Sequence, residues 1–351
     1  MHKENRIGSG SLTALLLSSR LSNCLLLPAD GTDGLNAADR LLAIALGGVL
    51  LFLLFVPTMW LLRGSRGTPV DVAYRRGKTL GRTVGGAYLL VCFFVLCLDV
   101  VQFCDFAEKV MPDAVSVTAL AVSLIVVAFA ASFYGIRTLS RTALPVAAFA
   151  VLVLLLIGAA LLPEMKLLHF PPLDARPLGI LTAALRELPR TAETVAVGLL
   201  YPYVKAAHAR ALAAFSLWTA LFTVLVTLTA VGVLGDLAAM TAYPYYTAAT
   251  AAGLGAFQRL DLLVTAAWLA TFFMRLSLFC ALLTDTAHRV FARRARLVSA
   301  VIGAVLLSLF AIFVRTVTAR ALVTAVYVGA LVAFCLVLPV TLALLKRRET
   351  V

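Results

Sequence analysis

The sequence predicts an all-α integral membrane protein, and three observations support this prediction. Of the 351 residues, 62% are hydrophobic and the mean hydropathy is +1.01, whereas a soluble domain is about 45–50% apolar. The apolar residues gather in ten stretches of membrane-spanning length, and basic residues cluster in alternate loops between them. We therefore expect ten transmembrane helices, arranged as two inverted repeats of five.

Each span needs roughly 20 predominantly apolar residues. By that measure the ten spans are residues 9–28, 39–62, 84–106, 114–134, 143–162, 186–204, 210–234, 261–283, 297–314 and 321–345. The first and sixth are the least hydrophobic. We expect a single membrane domain over residues 1–351, with repeat one at about 9–162 and repeat two at about 178–345.

The basic residues fix an orientation for these spans. Of the 30 lysines and arginines, 19 lie in the N-terminal segment, the C-terminal segment or the loops that follow even-numbered spans. Cytoplasmic loops carry such an excess, so we expect both termini in the cytoplasm. Because membrane topology explains much of the +13 net charge, the charge is no evidence for a nucleic-acid partner, and we expect none.

Neither the cysteines nor any short motif indicates catalysis. All six cysteines lie inside apolar runs without metal-ligand spacing, as is typical of small packing residues. The chain contains no GxSxG, HExxH, Walker loop or dinucleotide glycine pattern,. We expect no enzyme, no bound metal and no cofactor.

Four ionisable residues interrupt the apolar spans near their middle. Arg20, Asp99, Glu193 and Arg275 each lie roughly 14–18 Å from a span end, at a rise of about 1.5 Å per residue,. Charged residues at this depth are costly, face a cavity or a partner, and mark functional sites. Two are positive and two negative, so mutual neutralisation is one expectation and ligand binding another.

The two repeats place these charges in equivalent helices, because span one corresponds to span six and span three to span eight. Transporters of this architecture bind substrate where such helices are broken. Span one has a polar run from Ser18 to Asn23, and span six has Pro189, Gly198 and Pro202, so we expect breaks in both. The candidate ligand-binding residues are Ser19, Arg20, Ser22, Asn23, Asp99, Glu193, Gly198 and Arg275. The alternative is that the charges are two structural ion pairs that fix helix register.

Two loops on the predicted outer side have a distinct composition. The stretch LGILTAALREL, residues 178–188, reads as a short amphipathic helix lying on the outer mouth,. The segment 235–259 is rich in alanine and tyrosine and is positioned to cover the mouth in the second half. Either loop is a candidate gate or partner contact.

Several stretches resemble one known family. RIGSGSLTALLLSSRLSNCLLLP is similar to the opening helix of the spore-germination permeases, the B subunits of germinant receptors. YGIRTLSRTALPV, AETVAVGLLYPYVK and LDLLVTAAWLATFFMRLSLFCA resemble its fifth, sixth and eighth helices, the last with a basic residue at Arg275. The family belongs to the amino acid–polyamine–organocation (APC) superfamily, and the resemblance implies the LeuT/APC-type ten-helix fold.

The resemblance also implies a function. It implies recognition of a small nutrient germinant, often an amino acid, in the inner membrane of a spore. The implied partners are a membrane-bound A subunit and a lipoprotein C subunit, besides the lipid bilayer. This chain departs from the family in helix one, where SSRLSN replaces a stretch that often contains glycine.

These observations lead to a hypothesis for Arg20. We expect it to face a central pocket between helices one and six, where it pairs with Glu193 or binds an anionic group of the ligand. The guanidinium fork suits a carboxylate, and Glu193 would bind a ligand amine or a proton. The alternative function is an amino-acid transporter coupled to H⁺ or Na⁺, and a third is a membrane scaffold without a ligand.

Overall fold

The computed structural model describes residues 6–26, 35–63, 67–110, 116–174, 176–205, 208–252, 260–291, 296–314 and 317–347. Over these ranges the chain is helical, and the only β pairing is an isolated bridge between Ile7 and Val204. The helices are α1 Ser9–Leu25, α2 Ala37–Leu62, α3 Pro69–Arg76, α4 Lys78–Val110, α5 Val117–Ser132, α6 Gly135–Leu161, α7 Pro177–Glu187, α8 Glu193–Leu200, α9 His208–Leu234, α10 Pro244–Ala251, α11 Asp261–Val290, α12 Arg296–Val314, α13 Val317–Val332 and α14 Leu338–Arg347.

The chain is a multi-pass membrane protein. Within the described ranges, six helical segments are long and apolar enough to cross a bilayer, and two shorter apolar segments accompany them. The six are Ala37–Leu62, Lys78–Val110, Gly135–Glu164, His208–Ala239, Asp261–Val290 and Ala325–Leu344, and the shorter two are Val117–Ser132 and Gly303–Phe313. The all-helical fold is confirmed, whereas the count of ten spans and the division into two repeats stay predictions.

Helix α1 is continuous from Ser9 to Leu25, so the predicted break in the first span was wrong. The hydroxyl of Ser18 donates to the carbonyl of Leu15 at 3.0 Å, and that of Ser22 donates to the carbonyl of Ser19 at 2.8 Å. These side chains bond within the helix instead of displacing its backbone bonds. Because residues 11–25 contain neither glycine nor proline, the backbone ladder continues through the polar run.

The sixth span is interrupted, as predicted. Helix α8 has only eight residues, with 3₁₀ turns at Leu188–Arg190 before it and Tyr201–Tyr203 after it. Beyond the second turn Val204 is extended. There the amide of Ile7 donates to the carbonyl of Tyr203 at 2.8 Å, and the amide of Lys205 donates to the carbonyl of Ile7 at 3.1 Å. The segment before α1 is thereby tied to the segment after α8.

Helices α1, α8 and α11 form the centre of the bundle. Helix α1 packs against α6, α9 and α11, and α11 also packs against α4 and α5. All eight residues of α8 are buried, as are residues 14–22 of α1. Helices enclosed on all sides belong to the core rather than to the lipid surface. The last long span bends beside them, where a π-helical turn at Ala333–Val337 joins α13 to α14.

Close packing between α2 and α9 depends on Gly48. A Cβ atom at this position would lie 2.6 Å from the Cβ of Ala220, and small residues let membrane helices approach closely. We expect Gly48→Ala to separate the helices and to lower stability by about 1–3 kcal/mol, measured as a lower melting temperature in detergent. Gly86→Ala is the matched control, because a Cβ there meets nothing within 4 Å. Equal melting temperatures for the two variants would contradict this packing argument.

A buried charge cluster at the centre of the bundle

Three of the predicted residues meet at the centre of the bundle. The Nε of Arg275 on α11 donates to Oδ2 of Asp99 on α4 at 2.8 Å, and its Nη1 donates to Oε1 of Glu193 on α8 at 2.5 Å. The side chains of Arg275, Asp99 and Glu193 are only 3%, 6% and 0% exposed, respectively. We call Asp99, Glu193 and Arg275 the central triad. It joins three helices that are distant in sequence.

Helix α1 adds a third hydrogen bond to this group through the candidate residue Ser19. The hydroxyl of Ser19 donates to Oε1 of Glu193 at 2.6 Å, so this single oxygen accepts two hydrogen bonds. The second oxygen, Oε2, is buried and has no hydrogen-bond partner in the described part of the chain. The carboxyl group of Glu193 is therefore asymmetric, with two donors at one oxygen and none at the other.

The formal charges of the triad do not balance. One guanidinium faces two carboxyl groups, which gives a net charge of −1 when both are ionised. Burying a charge without compensation costs several kcal/mol per ion. The site therefore favours one further positive charge, either a proton or the cationic group of a ligand.

Arg20 lies in a different environment, so the predicted pairing with Glu193 was wrong. Its Nη1 donates to the carbonyl of Arg190 at 2.8 Å, and its Nη2 lies 3.9 Å from Oε2 of Glu187. Successive residues of an α-helix point about 100° apart. When Ser19 faces Glu193, the next side chain is turned away from it toward the segment before α8.

Arg20, Glu187 and Arg190 form a second cluster, which we call the Arg20 cluster. Arg190 donates to Oε1 of Glu187 at 2.6 Å, and the three groups carry a formal net charge of +1. The Nδ2 of Asn23 donates to the carbonyl of Arg190 at 3.3 Å, so this candidate residue adjoins the same cluster. The two clusters thus flank α1 at consecutive positions and have opposite charge.

A small cavity with a mixed polar and apolar lining lies beside the Arg20 cluster, between α1, α2 and α9. Its volume is about 20 Å³, and its lining includes Arg20, Glu187, Thr191, Thr219 and Thr223. The Nε of Arg20 and the Oγ1 of Thr219 are buried there without a hydrogen-bond partner within the described ranges. This volume suits a single water, so a larger ligand requires the helices to separate.

The structure places two candidate residues outside both clusters. The hydroxyl of Ser22 bonds within α1 to the carbonyl of Ser19. A Cβ at Gly198 would lie 3.3 Å from Cγ of Pro69, 3.3 Å from the hydroxyl of Tyr88 and 3.6 Å from Cγ2 of Thr58. Gly198 thus allows close approach of neighbouring elements.

A further ionic network lies where α11 ends and α3 begins. The Nη1 of Arg289 bonds both carboxylate oxygens of Asp71 at 2.6 and 2.9 Å. Its Nε and Nη2 lie 3.2 and 3.1 Å from Oδ2 of Asp285, which also accepts the hydroxyl of Tyr203 at 2.9 Å. This network, the Arg289 cluster, ties α3 and α11 to the turn after α8.

Asp71 serves the Arg289 cluster and also the start of α3. Its carboxylate accepts the amide of Thr68 at 2.8 Å, and the Thr68 hydroxyl accepts the amide of Asp71 at 3.2 Å, which is a capping box. Thr68→Ala removes one cap and should cost about 1 kcal/mol. Asp71→Ala removes the reciprocal cap and the ion pair, so we expect a loss of about 1–2 kcal/mol. Thermal unfolding in detergent measures both, and a smaller loss in Asp71→Ala than in Thr68→Ala would contradict the role of Arg289.

Apart from Arg20, the residues of the Arg20 cluster and of the Arg289 cluster were not among the predicted site residues. Glu187 and Arg190 stand three residues apart just before the sixth span, a spacing that suits a local ion pair. Asp285 and Arg289 stand four apart on α11, and Thr68 to Asp71 has the spacing of a capping box. These local signals were present in the sequence, but they do not identify which distant helices the groups join.

The fold and the buried charges define a class of protein. An all-helical bundle with ionisable side chains at mid-depth is typical of membrane permeases and transporters. The structure is similar to that of Mhp1, a nucleobase-cation-symport-1 family transporter, in a closed conformation with bromovinylhydantoin bound. The TM-score is 0.66 at 14% identity, covering 99% of this chain and 82% of that one. This likeness confirms the predicted transporter-type fold.

Sequence comparison then identifies the family. The family model described as spore germination protein, a spore permease, matches residues 24–319. The chain therefore belongs to the spore germination permease family, and the predicted resemblance is confirmed. A search of curated proteins found no match.

Proposed function

We propose that this protein is the permease-like membrane subunit of a spore germinant receptor, which binds a small nutrient amino acid and signals germination. Membership of the spore germination family supports the receptor part of the proposal. The observation that supports the ligand is the pair of oppositely charged clusters on either side of α1. A zwitterionic amino acid carries the same two charges within one small molecule.

The proposed ligand pose follows from this charge separation. The ligand ammonium is directed toward Glu193 and Asp99, whose triad has a net negative charge. The ligand carboxylate is directed toward Arg20, whose cluster has a net positive charge and whose guanidinium fork can bind a carboxylate with two hydrogen bonds. Ser19 and Arg20 are consecutive, so the two clusters lie at the same level along α1.

The proposed setting is the inner membrane of a spore, with both termini in the cytoplasm. The basic residues between the predicted spans that indicate this orientation include Arg75, Lys78, Arg82 and Arg141, all of which are exposed. The proposed partners are an A-type membrane subunit and a C-type lipoprotein subunit. Signalling through them requires a ligand-dependent change in the bundle, for which the short helix α8 and its flanking 3₁₀ turns are the proposed moving element.

A second candidate function is net transport of an amino acid coupled to H⁺ or Na⁺. The structural similarity to a cation-symport transporter favours it. Receptor and transporter share the same fold, and fold alone does not assign function. They differ in whether the ligand crosses the membrane.

Binding and uptake by the purified protein in liposomes distinguish these functions. A panel of labelled L-amino acids is tested with and without a proton gradient and with and without a sodium gradient. Saturable binding without uptake supports the receptor subunit, whereas uptake driven by a gradient supports the transporter. If neither occurs, the assay is repeated with co-expressed A- and C-type subunits, and failure there would overturn the proposed amino-acid ligand.

A further inference from the structure

We propose that a cavity between α4, α5 and α11 binds a hydrocarbon chain of a membrane lipid. The cavity has a volume of about 300 Å³, at the lower end of the range for ligand-binding pockets. Its lining includes no residue of the central triad or of the Arg20 cluster. The lipid site is therefore distinct from the proposed amino-acid site.

The wall of this cavity is built mainly from aromatic and aliphatic side chains. Phe103 and Phe106 on α4 contact Trp268 on α11, with their ring centroids 5.8 and 4.3 Å from that of the indole. Leu120 and Leu124 on α5 complete the wall. An unfilled cavity in an apolar core lowers stability in proportion to its volume, so an apolar occupant stabilises this part of the bundle.

The polar side chains of the wall offer little to a water molecule. In the described part of the chain they are Ser123, Thr265 and Trp268. The hydroxyl of Ser123 donates to the carbonyl of Leu120 at 2.8 Å, and that of Thr265 donates to the carbonyl of Asp261 at 3.0 Å. The Nε1 of Trp268 is covered by neighbouring atoms. Because a buried water needs several polar partners and apolar cavities stay dry, the occupant expected here is hydrocarbon.

The cavity opens sideways on the outer surface of the bundle. Val127 and Leu269 line the cavity and are also exposed, so its mouth lies beside them. Val126 and Leu262, their neighbours on the same two apolar helices, are exposed as well. Exposed apolar side chains on the helices of a multi-pass membrane protein contact the hydrocarbon core of the bilayer. A lipid chain therefore reaches the mouth of the cavity directly from the membrane.

The walls of the cavity continue into the helices of the central triad. Phe103 lies one turn after Asp99 on α4, and Trp268 lies about two turns before Arg275 on α11,. The ring of Phe103 also stacks on that of Phe272, with 5.6 Å between the centroids. A lipid chain in the cavity thus packs against the two helices whose side chains form the Asp99–Arg275 pair.

Fluorescence quenching by brominated lipids tests this proposal, because bromine on an acyl chain quenches a tryptophan only at close contact. The variant Trp60→Phe with Trp218→Phe keeps Trp268, which is 2% exposed, as the single tryptophan. The variant Trp60→Phe with Trp268→Phe keeps Trp218, which is 43% exposed, as the reference for the lipid surface. In vesicles of brominated phosphatidylcholine we expect Trp268 to be quenched to an extent comparable with Trp218, although it is buried.

Filling the cavity should remove the quenching of Trp268. Ala107→Leu, made in the protein that keeps only Trp268, enlarges a side chain that lines the cavity, and Leu124→Phe is a second filling variant if the first does not fold. Ala266→Leu is the matched control, because Ala266 is exposed on α11 and does not line the cavity. We expect most of the quenching to be lost in the filling variants and none to be lost in the control.

Three outcomes would overturn the lipid site. The first is an unquenched Trp268 under conditions in which Trp218 is quenched, and the second is quenching that persists in both filling variants. The third is an unquenched Trp268 whose emission shifts when L-leucine is added, which would assign the cavity to the side chain of an amino-acid ligand. The quenching itself is measured without an amino acid, so its result does not depend on the proposed receptor function.

Discussion

Replacing Arg275 with methionine is expected to produce the largest loss of stability in this protein. The guanidinium is the cation of the central triad, and its side chain is only 3% exposed. Its removal leaves the carboxyl groups of Asp99 and Glu193 buried without a positive partner, and breaking a buried pair in this way costs about 3–5 kcal/mol. We expect a large drop in melting temperature in detergent and a reduced folded yield in membranes.

The double variant Arg275→Met with Asp99→Asn is the matched control. It removes both charges of the pair, and neutral replacements of a buried ion pair are often close to neutral in stability, but Glu193 still loses its contact with Arg275. We therefore expect the double variant to regain part of the stability lost by the single variant. A single variant as stable as the wild type, or a double variant no better than the single, would show that the Asp99–Arg275 pair is not the reason for burying these charges.

The central triad was largely predictable from the sequence. Depth along each span placed Asp99, Glu193 and Arg275 near mid-membrane, and ionisable groups at that depth seek partners because lipid offers none. Which side chains meet was predicted only in part, because the predicted contact of Arg20 with Glu193 was wrong and the contact of Arg275 with Glu193 was not predicted. The amphipathic stretch at residues 178–188 was likewise recognisable, and α7 forms there over Pro177–Glu187.

The position of Arg20 was not predictable, because it depends on the rotation of α1 about its own axis. An amphipathic helix reveals its rotation through its polar face, but α1 is buried on all sides between residues 14 and 22. The sequence therefore gives no preference between Ser19 and Arg20 as the residue that faces Glu193. A rotation of about 100° separates the predicted contact from the observed one.

The continuity of α1 has a similar explanation. Serine side chains are able either to bond within a helix or to compete with its backbone bonds, and the sequence does not state which they will do. In the folded chain Ser19 is drawn to Glu193 on another helix, while Ser18 and Ser22 bond to carbonyls one turn back. The contact with Glu193 on another helix therefore determines which serine of the polar run bonds outside α1.

Replacing Arg20 with alanine is expected to weaken ligand binding strongly while preserving the fold. The proposed pose gives this guanidinium a charge-assisted contact with the ligand carboxylate, worth about 1.5–3 kcal/mol. Its loss corresponds to a roughly 10- to 100-fold weaker affinity. The fold should persist because Glu187 keeps its bond to Arg190 at 2.6 Å when Arg20 is absent. Amino-acid binding in liposomes and the melting temperature measure the two effects separately.

The variant Arg20→Lys separates the charge of the side chain from its shape. Lysine keeps the positive charge but has no planar fork, so it makes a point contact instead of two parallel hydrogen bonds. We expect an affinity between those of the wild type and Arg20→Ala. If instead Arg20→Ala unfolds and the remaining folded protein binds normally, the arginine is a structural partner of the segment before α8. The ligand carboxylate would then have to be bound elsewhere, and the charge separation across α1 would no longer support an amino-acid ligand.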